Sequence, residues 1–337
     1  MPAETMVEVW RGEICESRHV GHLAVADGAG RLVLALGDPE RVIFMRSSAK
    51  PFQTMAVVLS GAADRFNMTS ADLAIATASH TGERVHLEQV EHLLSLVGHT
   101  AADLQCGACP PLDREVRLEL LRDGRGPEAI HSDCSGKHAA MLGVAEILGG
   151  DTANYLDPDA PGQKLAREVV AEMCMLRVED VVVGVDGCSA PVFGVPLRAM
   201  AAGYARLAQP DSLRGELRSA AMRVRDAMLM HPYLIAGRNQ VGVDIMREGQ
   251  GRLIAKMGAE AVFGVGDLAR GLGLALKLDD GQQRGVAPAL IEALVQAGFL
   301  DEAQAAALGA WRGGPQRNYG GREVGRVVAR FALRATV

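Results

Sequence analysis

Strand-forming runs sit at both ends of this chain and helix-periodic runs fill the middle, a distribution that favours an α+β architecture with the terminal strands sharing one antiparallel sheet flanked by helices. At the start, residues 20–25 and 31–36 are apolar runs around Asp27-Gly28-Ala29-Gly30, a strong turn signal. A short strand over 42–45 follows. At the far end, 272–277 and 324–331 read as strands, with a helix over 288–297 between them. Between these ends, Leu87, Val90, Leu94 and Val97 have helical spacing, with Gly98 as the stop. Residues 139–148, 163–173 and 213–228 read as further helices, and Val181-Val182-Val183-Gly184-Val185 as a buried strand. The segment 122–127 is expected to be an exposed loop. With no internal repeat and 48% hydrophobic residues, one domain spanning 1–337 is expected.

Where the early strands hand over to the helices stands Arg46-Ser47-Ser48-Ala49-Lys50-Pro51. The apolar run behind it predicts a helix to about Leu59 with Ser47 in its first turn and Lys50 one turn on. A serine hydroxyl becomes a nucleophile only when a base takes its proton, and lysine serves as that base only when neutral. The S-x-x-K pair therefore points to acyl transfer through a serine ester, with the helix N-terminus available for an oxyanion. Taken alone the motif is weak, because chance occurrences are common.

Two further segments strengthen it. Thr77-Ala78-Ser79-His80-Thr81-Gly82-Glu83 offers Ser79 as a proton relay, although Ser79 or Thr81 can equally cap the next helix. Lys256-Met257-Gly258 puts a second ammonium on a strand, with a glycine that lets a substrate approach. Two glycine-containing corners carry cysteine: Asp133-Cys134-Ser135-Gly136-Lys137-His138 and Asp186-Gly187-Cys188-Ser189-Ala190-Pro191. Two thiolates from such corners can hold zinc with a nitrogen as third ligand, or can simply be small buried hydrophobes. Cys106-x-x-Cys109 is a lone pair and weak evidence for either metal or redox chemistry. Gly264-x-Gly266-x-x-Ala269 imitates a dinucleotide fingerprint without a surrounding βαβ unit, and His80-x-x-Glu83-x-x-His86 has the wrong spacing for a zincin.

Composition narrows the partners. The 35 basic residues are dispersed among 41 acidic ones for a net charge of −6, which disfavours nucleic acid and anionic membranes. No stretch of eighteen apolar residues and no secretory h-region is found, and the six cysteines are too sparse for a disulfide scaffold. A soluble cytoplasmic protein is expected.

Taken together, these blocks and His231-Pro232 resemble the Rhizobium-type (class 3) L-asparaginases, the thermolabile asparaginase II family. The resemblance implies a fold similar to serine β-lactamases and glutaminases, a homodimer, and hydrolysis of L-asparagine to L-aspartate and ammonia. It implies Ser47 as nucleophile with Lys50 as base, and Ser79 with Lys256 as a second Ser–Lys pair. Arg46, His138, Asp186 and Gly258 are expected at the substrate. Zinc on Cys134, Lys137 and Cys188 is implied as a substrate-positioning group, with no organic cofactor. The same chemistry on glutamine or a β-lactam, and a non-catalytic ligand- or metal-binding homologue, are the alternatives. The β-lactam version lacks an S-x-N, since Thr81 stands where asparagine would.

Overall fold

The computed structural model describes residues 1–336. They form two compact units, each assembled from separated stretches of chain. The first comprises Met1–Ser48, Val195–Gln209 and Asp244–Val337, the second Ala49–Gly194 and Pro210–Val243.

The strands in chain order are β1 (Glu4–Arg11), β2 (Ile14–Asp27), β3 (Leu32–Leu36), β4 (Val42–Phe44), β5 (Val182–Val185), β6 (Pro191–Pro196), β7 (Leu253–Gly258), β8 (Val262–Asp267), β9 (Leu272–Leu278), β10 (Gly314–Arg317), β11 (Glu323–Ala329) and β12 (Arg334–Ala335). The first unit is built on an antiparallel sheet in the order β10-β11-β1-β2-β9-β8-β7. The fourteen-residue β2 is long enough to serve different partners along its length. Its first half pairs with β1, and its second half runs between β3 and β9. Every residue of β8 is buried, so both faces of the sheet are covered there. The Leu197–Ala208 helix packs on β2, β8 and β9, and the Gln283–Gln296 helix on β1, β8, β9 and β11. Gly264 and Gly266, the false dinucleotide fingerprint, lie under Tyr204 of the former helix and serve packing.

The expected α+β class and shared terminal sheet hold. The sheet's β1 was not foreseen. Its closure against β11, Val7 opposite Ala329 and Trp10 opposite Arg326, is a pairing between opposite ends of the chain that no local pattern announces.

The second unit is a helical cluster around the Lys50–Leu59 helix, in which Lys50 through Val57 are all buried. Helices Ser70–Thr77, Ser135–Leu148, Pro161–Met173 and Gly215–Met230 pack against it. This breadth of contact explains a run with almost no polar face. The unit also carries the β5–β6 hairpin, in register from Val182–Gly194 to Val185–Pro191. The expected buried strand here is corrected: Val182 and Val185 are 48% and 76% exposed. A short apolar run does not by itself say which side of a strand is covered. Residues 122–127 are exposed throughout, as expected.

A second correction concerns Ser47. It stands in a 3₁₀ turn, Arg46–Ala49, and the α-helix proper starts at Lys50 with Pro51 in its first turn. Proline has no N–H to lose at that position, which makes it a natural helix starter.

Candidate active site

In the second unit, the Ser70–Thr77 helix ends at Ala78, whose extended backbone turns the chain into Ser79. Lys50 reaches this turn from the start of its own helix. Its Nζ donates to Ala78 O at 2.6 Å, to Ser79 Oγ at 2.9 Å and to Asp133 O at 3.4 Å. Lys50 is 1% exposed. Burying a polar nitrogen is costly unless it is hydrogen-bonded, and three oxygen acceptors surround this one. The Ser79 turn is further held by Ser79 N–H to Ile235 O, His80 N–H to Asp133 O and Thr81 N–H to Ala236 O.

Asp133 leads into the cysteine corner. Cys134 occupies the N-cap of the Ser135–Leu148 helix, which brings its first turn against the end of the Ser70–Thr77 helix. Gly136 permits that approach, since a Cβ there would collide with Ile75 O. His80 Nε2 and Ser135 Oγ, 2.9 Å apart, tie the two segments together.

Cys188 is delivered to the same place by the β5–β6 hairpin tip, whose turn is closed by Asp186 N–H to Ala190 O. Lys137 Nζ donates to Cys188 Sγ at 3.1 Å. A hydrogen bond from the Cys134 thiol, together with the Lys137 ammonium and His138, holds Cys188 well below the usual thiol range against the cost of its burial. The same hydrogen bond, reinforced by burial, pushes Cys134 up. Burial works against the charge on Lys137, but the two sulfurs outweigh it and raise its pKa. The corner thus gathers two sulfurs and a lysine nitrogen in one buried cluster, with Cys188 held low and Cys134 and Lys137 held high.

His138 lies just beyond. Desolvation, with Lys137 adding to it, takes its pKa down to about 4 despite the Cys188 sulfur. Its Nδ1 is 2.8 Å from the Tyr155 hydroxyl, while the buried Nε2 has no conventional hydrogen-bond partner. Asp186 is half-buried beside Cys188 in sequence.

The first unit holds the remaining expected residues. Arg46 has φ 52°, and the turn after it is closed by Ser48 N–H to Met45 O. The Tyr204 hydroxyl donates to Ser48 O at 2.7 Å. Ser47 itself is half-buried. Lys256 on β7 is 1% exposed and its Nζ donates to Met257 O at 3.0 Å. At Gly258 a Cβ would stand 2.7 Å from Met45 O and 3.2 Å from Ser48 N. The glycine therefore admits the backbone of the turn that carries Ser47.

A family model described as L-asparaginase II matches residues 7–329. The chain belongs to the L-asparaginase II family. No curated protein matches it. Among solved structures it is similar to Mglu, at TM-score 0.44 and 16% identity over 83% of this chain and 61% of that one. It is also similar to a β-lactamase from Mycobacterium bovis, at TM-score 0.41 and 15% identity over 83% and 95% of the two chains. A Bacillus glutaminase follows at TM-score 0.38 and 13% identity over 84% and 92%.

Within this L-asparaginase II chain, the structure groups Lys50, Ser79, Cys134, Lys137, His138 and Cys188 in one unit. It groups Arg46, Ser47, Lys256 and Gly258 in the other. Among the described residues no cluster of three or more His, Cys, Asp or Glu side chains is placed to hold a metal ion. A metal here would depend on two sulfurs and the lysine nitrogen. Cys106 is buried and Cys109 exposed, both as free thiols. Tyr155 and Tyr204 were not foreseen. Each lies in an unremarkable local sequence, and only the partner to which its hydroxyl donates or which it accepts from reveals it.

Proposed function

We propose that the protein hydrolyses L-asparagine to L-aspartate and ammonia through a serine acyl-enzyme. Family membership supports an amidohydrolase. The observation that carries the mechanism is the buried contact from Lys50 Nζ to Ser79 Oγ. It gives a proton taken by Lys50 somewhere to go.

In this proposal Ser47 Oγ attacks the side-chain amide carbon of asparagine as neutral Lys50 takes the hydroxyl proton. A backbone N–H of the turn that carries Ser47 would hold the oxyanion. The tetrahedral adduct expels ammonia, which receives its proton from Lys50 by way of Ser79, with Lys256 supporting the relay. Water then cleaves the ester, its proton returning along the same groups, and releases aspartate. Arg46 and Asp186 suit the substrate's α-carboxylate and α-ammonium groups by charge, and His138 and the cysteine corner shape the pocket. Gly258 supports the site from behind, by admitting the Ser47 turn.

Two sulfurs and a nitrogen are the donor types zinc takes, and Cys188 is already held low, but Cys134 and Lys137 are both held high and would have to give up their protons as the metal enters. Cys134, Lys137 and Cys188 would hold it, and when bound it would position substrate. A homodimer, which rests on the family resemblance, and a cytoplasmic location, which rests on composition, complete the proposal; no described helix is long and apolar enough to cross a membrane.

Purified protein is assayed for ammonia with asparagine and with glutamine, beside a chromogenic β-lactam, and Ser47→Ala is assayed in parallel. Asparagine turnover that disappears in Ser47→Ala, with an adduct trapped on Ser47 by mass spectrometry, supports the proposal. Turnover of the β-lactam alone, or full activity in Ser47→Ala, sinks it.

A further inference from the structure

The Ser79 turn is held in place by a segment far along the chain, and one carboxylate fastens that segment. The backbone over 231–238 runs beside the turn, with Ile235 O accepting from Ser79 N–H at 2.9 Å and Ala236 O from Thr81 N–H at 2.8 Å. Two of the turn's amides are therefore satisfied by the segment, and its position sets theirs. Glu83, four residues after Ser79, accepts from both sides of this contact. Thr81 Oγ1 donates to it at 2.8 Å from the turn. From the segment come the Tyr233 hydroxyl at 2.5 Å, Arg238 N–H at 2.9 Å and Arg238 Nε at 3.0 Å.

The surroundings are built for this carboxylate. Glu83 is 5% exposed. Gly237 has φ 112°, and a Cβ on it would collide with Thr81 Oγ1 and Glu83 Oε1, so the segment passes the carboxylate only because it has no side chain there. The Tyr233 ring stacks on His86 at 5.9 Å, and His86 on His80 at 5.2 Å, His80 being the residue next to Ser79. Four donors on one buried carboxylate exceed what a surface ion pair would need. Glu83 reaches none of the groups to which the chemistry is assigned. Its effect on them runs through the backbone it pins.

We propose that Glu83 is a positioning residue for Ser79: by clamping the 231–238 segment to the turn, it fixes the Ser79 hydroxyl at hydrogen-bonding distance from Lys50. This rests on the reaction proposed above. It predicts that loosening the clamp slows the chemical step while leaving substrate binding nearly unchanged, because a small displacement of a proton-relay group costs rate out of proportion to its size.

The test compares wild type with Glu83→Gln and with Tyr233→Phe, a milder change that removes one donor and keeps the carboxylate. Ammonia release from L-asparagine is measured per folded molecule, well below each variant's thermal midpoint. Hydrogen exchange is followed in parallel at the Ser79 and Thr81 amides. In Glu83→Gln, kcat should fall about tenfold to a hundredfold with KM within about twofold of wild type. Tyr233→Phe should show a smaller fall of the same kind, and both amides should exchange faster in both variants. A lowered thermal midpoint with wild-type kcat in both variants makes Glu83 merely structural and overturns the inference. If wild-type protein releases no ammonia from L-asparagine, the reaction is what fails, and exchange alone judges the clamp. Faster exchange at these two amides ahead of the rest of the unit upholds it, and unchanged protection overturns it.

Discussion

Lys50 Nζ lies 2.9 Å from Ser79 Oγ, and the same nitrogen is tied to the backbone carbonyl of Ala78 immediately before that serine. The lysine of the S-x-x-K pair is thus fixed to the second serine by two bonds, one to its side chain and one to its neighbour's backbone. In the proposed reaction Lys50 would serve both serines as a relay.

If Lys50 is that relay, Lys50→Met should lower kcat by roughly 10²–10⁴-fold, the usual range for a positioned proton-transfer group. Lys50→Arg should not restore it, because a guanidinium holds its proton and needs a different donor geometry. Ser79→Ala should lower kcat less than Ser47→Ala. Steady-state ammonia release measures all four, and an active Lys50→Arg would refute the relay.

Gly258→Ala would place a methyl group 2.7 Å from Met45 O, which is backbone and cannot swing away. A destabilisation of about 1–3 kcal/mol is expected from such overpacking. Activity should fall further than stability, since the displaced turn carries Ser47. Thermal melts and kcat on the folded protein separate the two effects. A fully active, equally stable variant would mean the turn yields freely.

Removing the Tyr204 hydroxyl with Tyr204→Phe leaves the Ser48 carbonyl without its buried donor at 2.7 Å. The cost should be about 1–3 kcal/mol, read as a shift in denaturant midpoint at unchanged slope.

Acid should act through Glu83. Burial alone would raise its carboxyl, but bonds from Tyr233, the Arg238 N–H, Thr81 and the Arg238 guanidinium outweigh it and hold the pKa at about 2, against an ordinary 4.5. A carboxylate depressed in the folded state contributes stability that is fully present above its unfolded pKa and is lost as pH falls through the folded one. The stability difference between wild type and Glu83→Gln should therefore be constant above about pH 5 and shrink between pH 4.5 and 2. Urea unfolding across that range gives the curve; a constant gap down to pH 2 would contradict an ionised, clamped Glu83.

If the proposed zinc is present, analysis of untreated protein should find about one metal per chain, and Cys188→Ala should lose it, because Cys188 is the thiol held below its usual range and gives up its proton most readily. Retention of full metal content in Cys188→Ala would move the site elsewhere.

Much of this was legible locally. The 84–97 helix and its left-handed Gly98 stop follow from apolar spacing and from the one residue type that adopts that backbone freely. That a strand hands over to a helix near 46–51 was legible from the apolar run behind it, but the 3₁₀ turn that holds Ser47 ahead of the helix was not. The exposure of Val182 and Val185 was not, because an apolar run carries no record of which neighbour covers it. Nor was the approach of the Met45–Ser48 turn to Gly258, because that contact joins segments about 210 residues apart.

The sequence by itself determined the α+β class, the family and which serines, lysines and cysteines to examine, because these depend on periodicity, turn chemistry and residue type over short spans. Only the tertiary structure decided that Lys50 bonds Ser79, that Cys188 accepts from Lys137, and that Glu83 ties residues 231–238 to the Ser79 turn. Each of these joins groups 29 to 155 residues apart. Contacts of that separation are set by how helices pack and where carbonyls are left to be satisfied, which no local stretch of chain encodes.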